Sequence, residues 1–356
     1  MKNLYKPNLR KIILGLVILI ILVGAAYLTF IDKQSSNAIT VGVITDLTGP
    51  AAYWGESTRE GAQLAVNQLQ ESGIGVQVVF EDYQLEAARA VGAAQKLVAV
   101  DKVDAVYAEF NPAAISVGSF LKDKNILYVY DAAVVSPLRG LPYAYKTYLD
   151  YKGGCKAIAK KFKETGVNKI GVLKVNLEFG ELCLEGVKEI YGNPVISEGY
   201  NLGDTDFRTQ LLKIKGNGAN AVINVGFEGD TYNTLKTIRD FQYKMLYGTV
   251  DDTITDKVKK DFTSELKGGF TFGFRDVDPV FRAKLKAKLQ DKTLATEYAA
   301  ALAYTHIRQI TEALHQCNKD LSCVIKKLDA ARPDPTIGFE RFDKHIGVLD
   351  MSIRSY

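Results

Sequence analysis

Val41-Gly42-Val43-Ile44-Thr45-Asp46-Leu47-Thr48-Gly49-Pro50-Ala51-Ala52-Tyr53-Trp54-Gly55 is the stretch from which the fold is read. A β-branched run at 39–45 ends in a Gly-Pro turn, and two aromatics precede a helical pattern. Strand, turn and helix in that order make the first half of a parallel βαβ unit. In open α/β sheets ligands bind beyond the carboxyl ends of strands. The loop after Thr45 is therefore a candidate ligand-facing loop.

Outward from this loop, strand and helix signals alternate. Ser57-Thr58-Arg59-Glu60 has the capping-box spacing and predicts a helix to about residue 70. A strand is expected at 76–80, a helix at 85–98 and a strand at 105–108. Asn111-Pro112 supplies an N-cap and a first-turn proline for a helix to about 122, followed by a strand at 127–130. The pattern then restarts, with helices at 156–162, 181–191, 207–215 and 231–241 and strands at 169–174, 194–199, 221–225 and 244–248. Helices at 279–288 and 297–315 close the series. The expected fold is α/β, with two Rossmann-like lobes of parallel sheet and a ligand cleft between them.

Residues 12–31 carry no charge, and Lys2, Lys6, Arg10 and Lys11 precede them. About twenty apolar helical residues span a bilayer core, and cations on the near side keep the N-terminus cytoplasmic. A single-pass anchor at 12–31 is expected, after a cytoplasmic segment 1–11 and before a linker 32–37. A cleaved signal peptide is the rival reading, because Gly24-Ala25-Ala26 offers small residues for cleavage. Residues 1–37 hold a net charge of +4, which is the whole net charge of the chain. The remainder is balanced, so no basic face for nucleic acid is expected.

Four cysteines in an exported domain can pair. A local Cys317–Cys323 disulfide is expected from the short spacing, while the pairing of Cys155 with Cys183 stays open. No Cys-x-x-Cys occurs, and His306, His315 and His345 are scattered, so neither metal nor cofactor is expected. Phosphate-loop and nucleophile-elbow patterns are missing, and no triad spacing is present, which argues against an enzyme.

The first loop closely resembles that of the leucine/isoleucine/valine-type binding proteins of ABC transporters, the type I periplasmic-binding-protein family. Their Leu-Thr-Gly-Pro…Tyr-Gly pattern is matched at 47–55, and Gly61-Ala62 and Ala65-Val66-Asn67 follow in the next helix. Phe80-Glu81-Asp82, Ala93 to Leu97, Ile126 to Ala133, Glu178-Phe179-Gly180 and Asp206-Phe207 fit in order. The resemblance implies a Venus-flytrap fold with a three-stretch hinge, with 38–147 plus 275–347 as lobe 1 and 148–274 plus 348–356 as lobe 2. It implies a cleft that closes on an amino acid or relative, and ABC permease subunits as partners. Trp54 falls at a cleft aromatic of the family and Asn111 near a carboxylate-receiving helix start. Ala132 matches a carbonyl that accepts the ligand ammonium. Phe179 and Phe227 match second-lobe tyrosines over the ligand, and Asp251 or Asp252 the acid that pairs with the ammonium. Val134 stands where amino-acid binders usually place Ser or Thr, which removes a carboxylate partner. A membrane-anchored sensor or envelope-regulatory module of the same fold is the alternative function.

Overall fold

The computed structural model describes residues 38–192, 195–290 and 292–356. The proposed segments 1–11, 12–31 and 32–37 lie outside the described residues. Among the described residues no helix is long and apolar enough to cross a membrane.

The chain begins with β1 (Ile39–Thr45), α1 (Ala52–Glu71), β2 (Val76–Asp82), α2 (Ala87–Ala99), β3 (Ala105–Glu109), α3 (Phe110–Leu121), β4 (Leu127–Asp131) and β5 (Ala144–Lys146). There follow α4 (Tyr151–Glu164), β6 (Ile170–Val175), α5 (Glu178–Tyr191), β7 (Ile196–Tyr200), α6 (Arg208–Gly216), β8 (Ala221–Val225), α7 (Glu228–Asp240) and β9 (Leu246–Val250). Two short helices, α8 (Asp256–Asp261) and α9 (Thr263–Leu266), lead to β10 (Phe270–Phe274). The chain ends with α10 (Pro279–Leu289), α11 (Glu297–Gln316), α12 (Leu321–Asp329), β11 (Phe339–Asp343), β12 (Ile346–Leu349) and β13 (Met351–Ser355).

Seven strands form one sheet in the order β11-β12-β5-β4-β3-β1-β2, and six form the other as β13-β10-β9-β8-β6-β7. Pairing is parallel except for the β11–β12 hairpin and the β10–β13 edge. Every residue of β1 is buried, because helices cover both faces of a central parallel strand. The chain passes between sheets three times: between Lys146 and Tyr151, between Phe274 and Pro279, and at Asp350. The third crossing falls beyond residue 347, because β12 runs to Leu349 in the first sheet.

Helix α1 starts five residues before the expected capping box. Both carboxylate oxygens of Asp46 are used, accepting from the Gly49 and Ala51 N–H groups at 2.6 Å each. That fixes the turn, and the helix begins at once. Ser57 is thus an interior residue whose hydroxyl donates to the Tyr53 carbonyl. Glu60 pairs with Lys288 and Lys292 instead of capping. Asn111 likewise lies inside the first turn of α3, and Glu109 stands at the cap position.

Both disulfides are formed. Cys317–Cys323 ties α11 to α12, and Cys155–Cys183 ties α4 to α5, which settles the open pairing. The second closes a loop with a sequence separation of 28, the first one of 6. Loop-closure entropy then assigns about 3–4 kcal/mol to Cys155–Cys183 and about 2 kcal/mol to Cys317–Cys323. Cys155→Ser is accordingly expected to lower the urea midpoint more than Cys317→Ser. Equal losses would mean that unfolded-chain entropy is not what these bridges act on.

Candidate ligand-binding cleft

The carboxyl ends of β1, β3 and β4 face those of β6, β8 and β9, and the loops beyond them form the cleft walls. The first-lobe wall rests on buried polar groups. Glu109 is 1% exposed and accepts from the hydroxyls of Thr45 and Thr58 and from the Trp54 indole N–H at 3.1 Å. The Tyr107 hydroxyl bridges Glu109 at 3.0 Å and Asp131 at 2.5 Å. Burial raises the Glu109 carboxyl despite these donors. It raises Asp131 well above the carboxylate range. His306 donates from Nδ1 to the Leu302 carbonyl, so its Nε2 is the bare nitrogen facing Asp131 at 3.2 Å. Burial holds His306 at about 3. Asp131 Oδ1 and His306 Nε2 thus lie side by side, each buried without a hydrogen-bond partner among the described residues.

Trp54 belongs to this foundation. It is 8% exposed and packs against Phe110 with ring centroids 5.6 Å apart. The expectation that it lines the cleft is corrected by its place on α1. Positions 54, 58, 61, 62 and 65 share the buried helical stripe, and Tyr53 falls off it. Tyr53 is 53% exposed. Burial, then the charges of Asp252 and Glu228 from the second lobe, raise its hydroxyl pKa. Tyr53 therefore faces lobe 2 across the cleft. Phe110 has φ of +68°, a strained conformation for a bulky residue, at the junction that presents Asn111.

Two neighbouring acids separate cleanly. Asp251 is engaged by Arg354, by the Thr271 hydroxyl at 3.2 Å and by the Tyr356 hydroxyl at 3.2 Å. It holds the β13 edge to β10. Among the described residues no side chain pairs with Asp252. Asp252 is exposed, and the protein around it disfavours its charge enough to raise the carboxyl to about 6. Its charge reaches Tyr53, Tyr148 and Tyr151, whose hydroxyls burial already raises. Phe227 is 48% exposed at the start of α7 and meets Phe179 edge-on at 5.9 Å. Phe179 is itself buried against Tyr151.

Beyond β4, the Asn111 side-chain oxygen accepts the Ala133 N–H at 3.0 Å. Ala132 and Val134 are buried. Glu178, from lobe 2, accepts the N–H groups of Val135 at 2.9 Å and Ser136 at 3.1 Å. Lys146 is buried with Asp150, Asp131 and Glu178 around it, and burial brings its ammonium down to about 8. Among the described residues no three metal-ligating side chains converge.

This arrangement of two sheets, three crossings and a facing pair of loop sets is matched in known proteins. A family model described as periplasmic binding protein matches residues 38–351. The chain belongs to the type I periplasmic binding protein family. Its relatives place it with the leucine/isoleucine/valine type. It is 23% identical over 336 residues to the Leu/Ile/Val-binding protein of Escherichia coli (strain K12), covering 89% of this chain and 90% of that one. It superposes on a branched-chain amino acid transporter substrate-binding protein from Streptococcus pneumoniae in complex with isoleucine. The TM-score is 0.73 at 20% identity, over 90% of this chain and 96% of that one. A solute-binding protein of an ABC transporter from Rhodopseudomonas palustris HaA2, in complex with p-hydroxybenzoic acid, gives a TM-score of 0.75 at 20% identity. That match covers 89% of this chain and 92% of the other.

In this periplasmic binding protein, sequence reasoning missed Tyr53, Tyr148 and Glu178 as cleft residues. Helical spacing from the true start of α1 distinguishes Tyr53 from Trp54. Nothing local marks Glu178, whose partners are 42 and 43 residues away.

Proposed function

We propose that this protein captures a small organic molecule related to an amino acid between its lobes and delivers it to an ABC permease. The binding domain stands outside the cytoplasmic membrane, with residues 12–31 holding it there. Asp252 carries this reading: a carboxylate with no side-chain partner, placed where Tyr53 faces it from the other lobe. A ligand that touches both walls stabilises the closed state by its differential contacts, and hinge motion follows. The ligand-bound structures of the S. pneumoniae and R. palustris proteins support a small-molecule role for this fold. The buried His306–Asp131 pair is sealed from the cleft and suits a structural role, so no reaction is assigned.

The test is thermal melting of the purified full chain against amino acids, amines, amides and aromatic acids. A ligand at one hundred times its dissociation constant adds about 2.7 kcal/mol. At least one class is expected to raise the melting temperature, with the shift lost in Asp252→Asn. A panel without any shift overturns the reading. The alternative of a tethered sensor rests on the apolar run at 12–31. Co-purification with sensor proteins instead of permease subunits favours it.

A further inference from the structure

The loop after β4 presents a run of backbone N–H groups, the kind of concavity that receives an anion. Its backbone donors are largely taken. Asn111 holds the Ala133 N–H, and Glu178 holds those of Val135 and Ser136. Among the described residues the Ala132 and Val134 N–H groups of this run have no acceptor, and the Val134 side chain carries no hydroxyl. A carboxylate has two oxygens and about four lone-pair sites, and two separated N–H groups leave it poorly solvated. It also meets the Glu178 charge, and two carboxylates sharing one site repel. Lys146 gives little relief, since it is buried among Asp150, Asp131 and Glu178.

The loop after β9 has the reverse character. Asp252 is open to a donor, Tyr53, Tyr148 and Tyr151 lie within reach of its charge, and Phe227 stands exposed in the same wall. Glu228 adds a second acid near Tyr53. Aromatic faces with a carboxylate are the groups that hold an alkylammonium. The cleft thus offers a place for a positive group, while the place for a negative one is filled by the protein's own side chain.

We propose that Glu178 acts as a built-in carboxylate, so that the cleft selects small organic amines that carry no carboxylate and rejects the corresponding α-amino acids. The inference rests on the reading of the interlobe cleft as the ligand site. Glu178 is a specificity-determining residue in this account. Its bond also joins the lobes, so the amine completes a closure that Glu178 has begun.

Calorimetric titration of the full chain tests this with pairs that differ only in the carboxylate: 3-methylbutylamine with leucine, and phenethylamine with phenylalanine. 4-Hydroxybenzoate serves as a carboxylate without an amine. Each amine is expected to bind at least tenfold more tightly than its amino acid. Glu178→Gln, which keeps size and removes charge, is expected to narrow that ratio at least tenfold. Glu178→Ala, which frees both N–H groups, is expected to narrow it further. Asp252→Asn weakens amine binding in either background. If leucine or phenylalanine matches its amine in the wild type, or the Glu178 variants leave the ratio unchanged, the inference falls. The cleft reading then survives provided that binding still depends on Asp252. If none of the five compounds binds, or binding ignores Asp252, both fall together.

Discussion

Gly61→Val is expected to remove most of the stability of the first lobe. Gly61 lies on the buried stripe of α1 where that helix crosses α11. A Cβ built there stands 1.9 Å from the Ala300 carbonyl oxygen and 2.7 Å from the Ala300 Cα. These are backbone atoms of another helix, so no rotamer change relieves the clash and the helices must separate. Over-packing typically costs about 1–3 kcal/mol, and a clash with backbone belongs at or above the top of that range even for Gly61→Ala. Valine adds two methyl groups to the same contact. A domain is stable by only about 5–15 kcal/mol in total. Trp54 is the only tryptophan and lies in this lobe, so its fluorescence reports the loss directly in a urea titration. Gly92→Ala is the matched control. No heavy atom lies within 4 Å of a Cβ at that exposed helical site, and the change should add about 0.5–1 kcal/mol. A wild-type midpoint for Gly61→Val would mean that the helices are not in close contact.

Asp252→Asn should weaken an amine ligand by about 5- to 30-fold, or about 1–2 kcal/mol. Losing one partner of a buried ion pair costs about 2–5 kcal/mol and of an exposed one about 0–1 kcal/mol, and Asp252, exposed until the lobes close on a ligand, falls between the two. The pH dependence follows from the sign of its shift. Enclosure raises the carboxyl to about 6, so the charge that holds an ammonium disappears as pH falls through that value. Amine affinity should therefore rise from pH 5 to 7 and then level off, with about a tenfold deficit at pH 5. Asp252→Asn should flatten that profile. Without ligand the sign reverses. A folded-state pKa above the unfolded value of 3.8 stabilises the fold at low pH, and that contribution fades as pH rises through about 6. The ligand-free variant is then expected to melt higher than wild type at pH 8 while binding worse. A variant that binds amines normally removes Asp252 from the site.

The cleft residues show how far local reading reaches. Asp251 and Asp252 are adjacent and chemically identical, and the sequence offers no basis for choosing. Arg354 and Tyr356, more than a hundred residues later, take Asp251 and leave its neighbour. Trp54 was legible as important but not as core, since its orientation depends on where α1 starts. That start is decided by Asp46, which ties down two N–H groups of the preceding turn. The seven residues of β1 and the bounds of β8 were readable because buried parallel strands are continuous apolar runs. Strands β5, β10, β11, β12 and β13 and helix α12 were not, because they are short or half-exposed and, for β10, β12 and β13, depend on pairing with strands far away in the chain.

By itself, the sequence determined the two-lobed α/β class, the family, and the alternation that builds both sheets. Those properties live in apolar periodicity and turn residues, which act over a few positions. Only the tertiary structure decided which sheet receives each of the last strands, which acid is left without a side-chain partner, that Cys155 meets Cys183, and that Glu178 takes two of the donors beyond β4. Each of those is a contact between segments whose meeting depends on how helices pack and where the chain crosses between sheets, and no local pattern encodes that meeting.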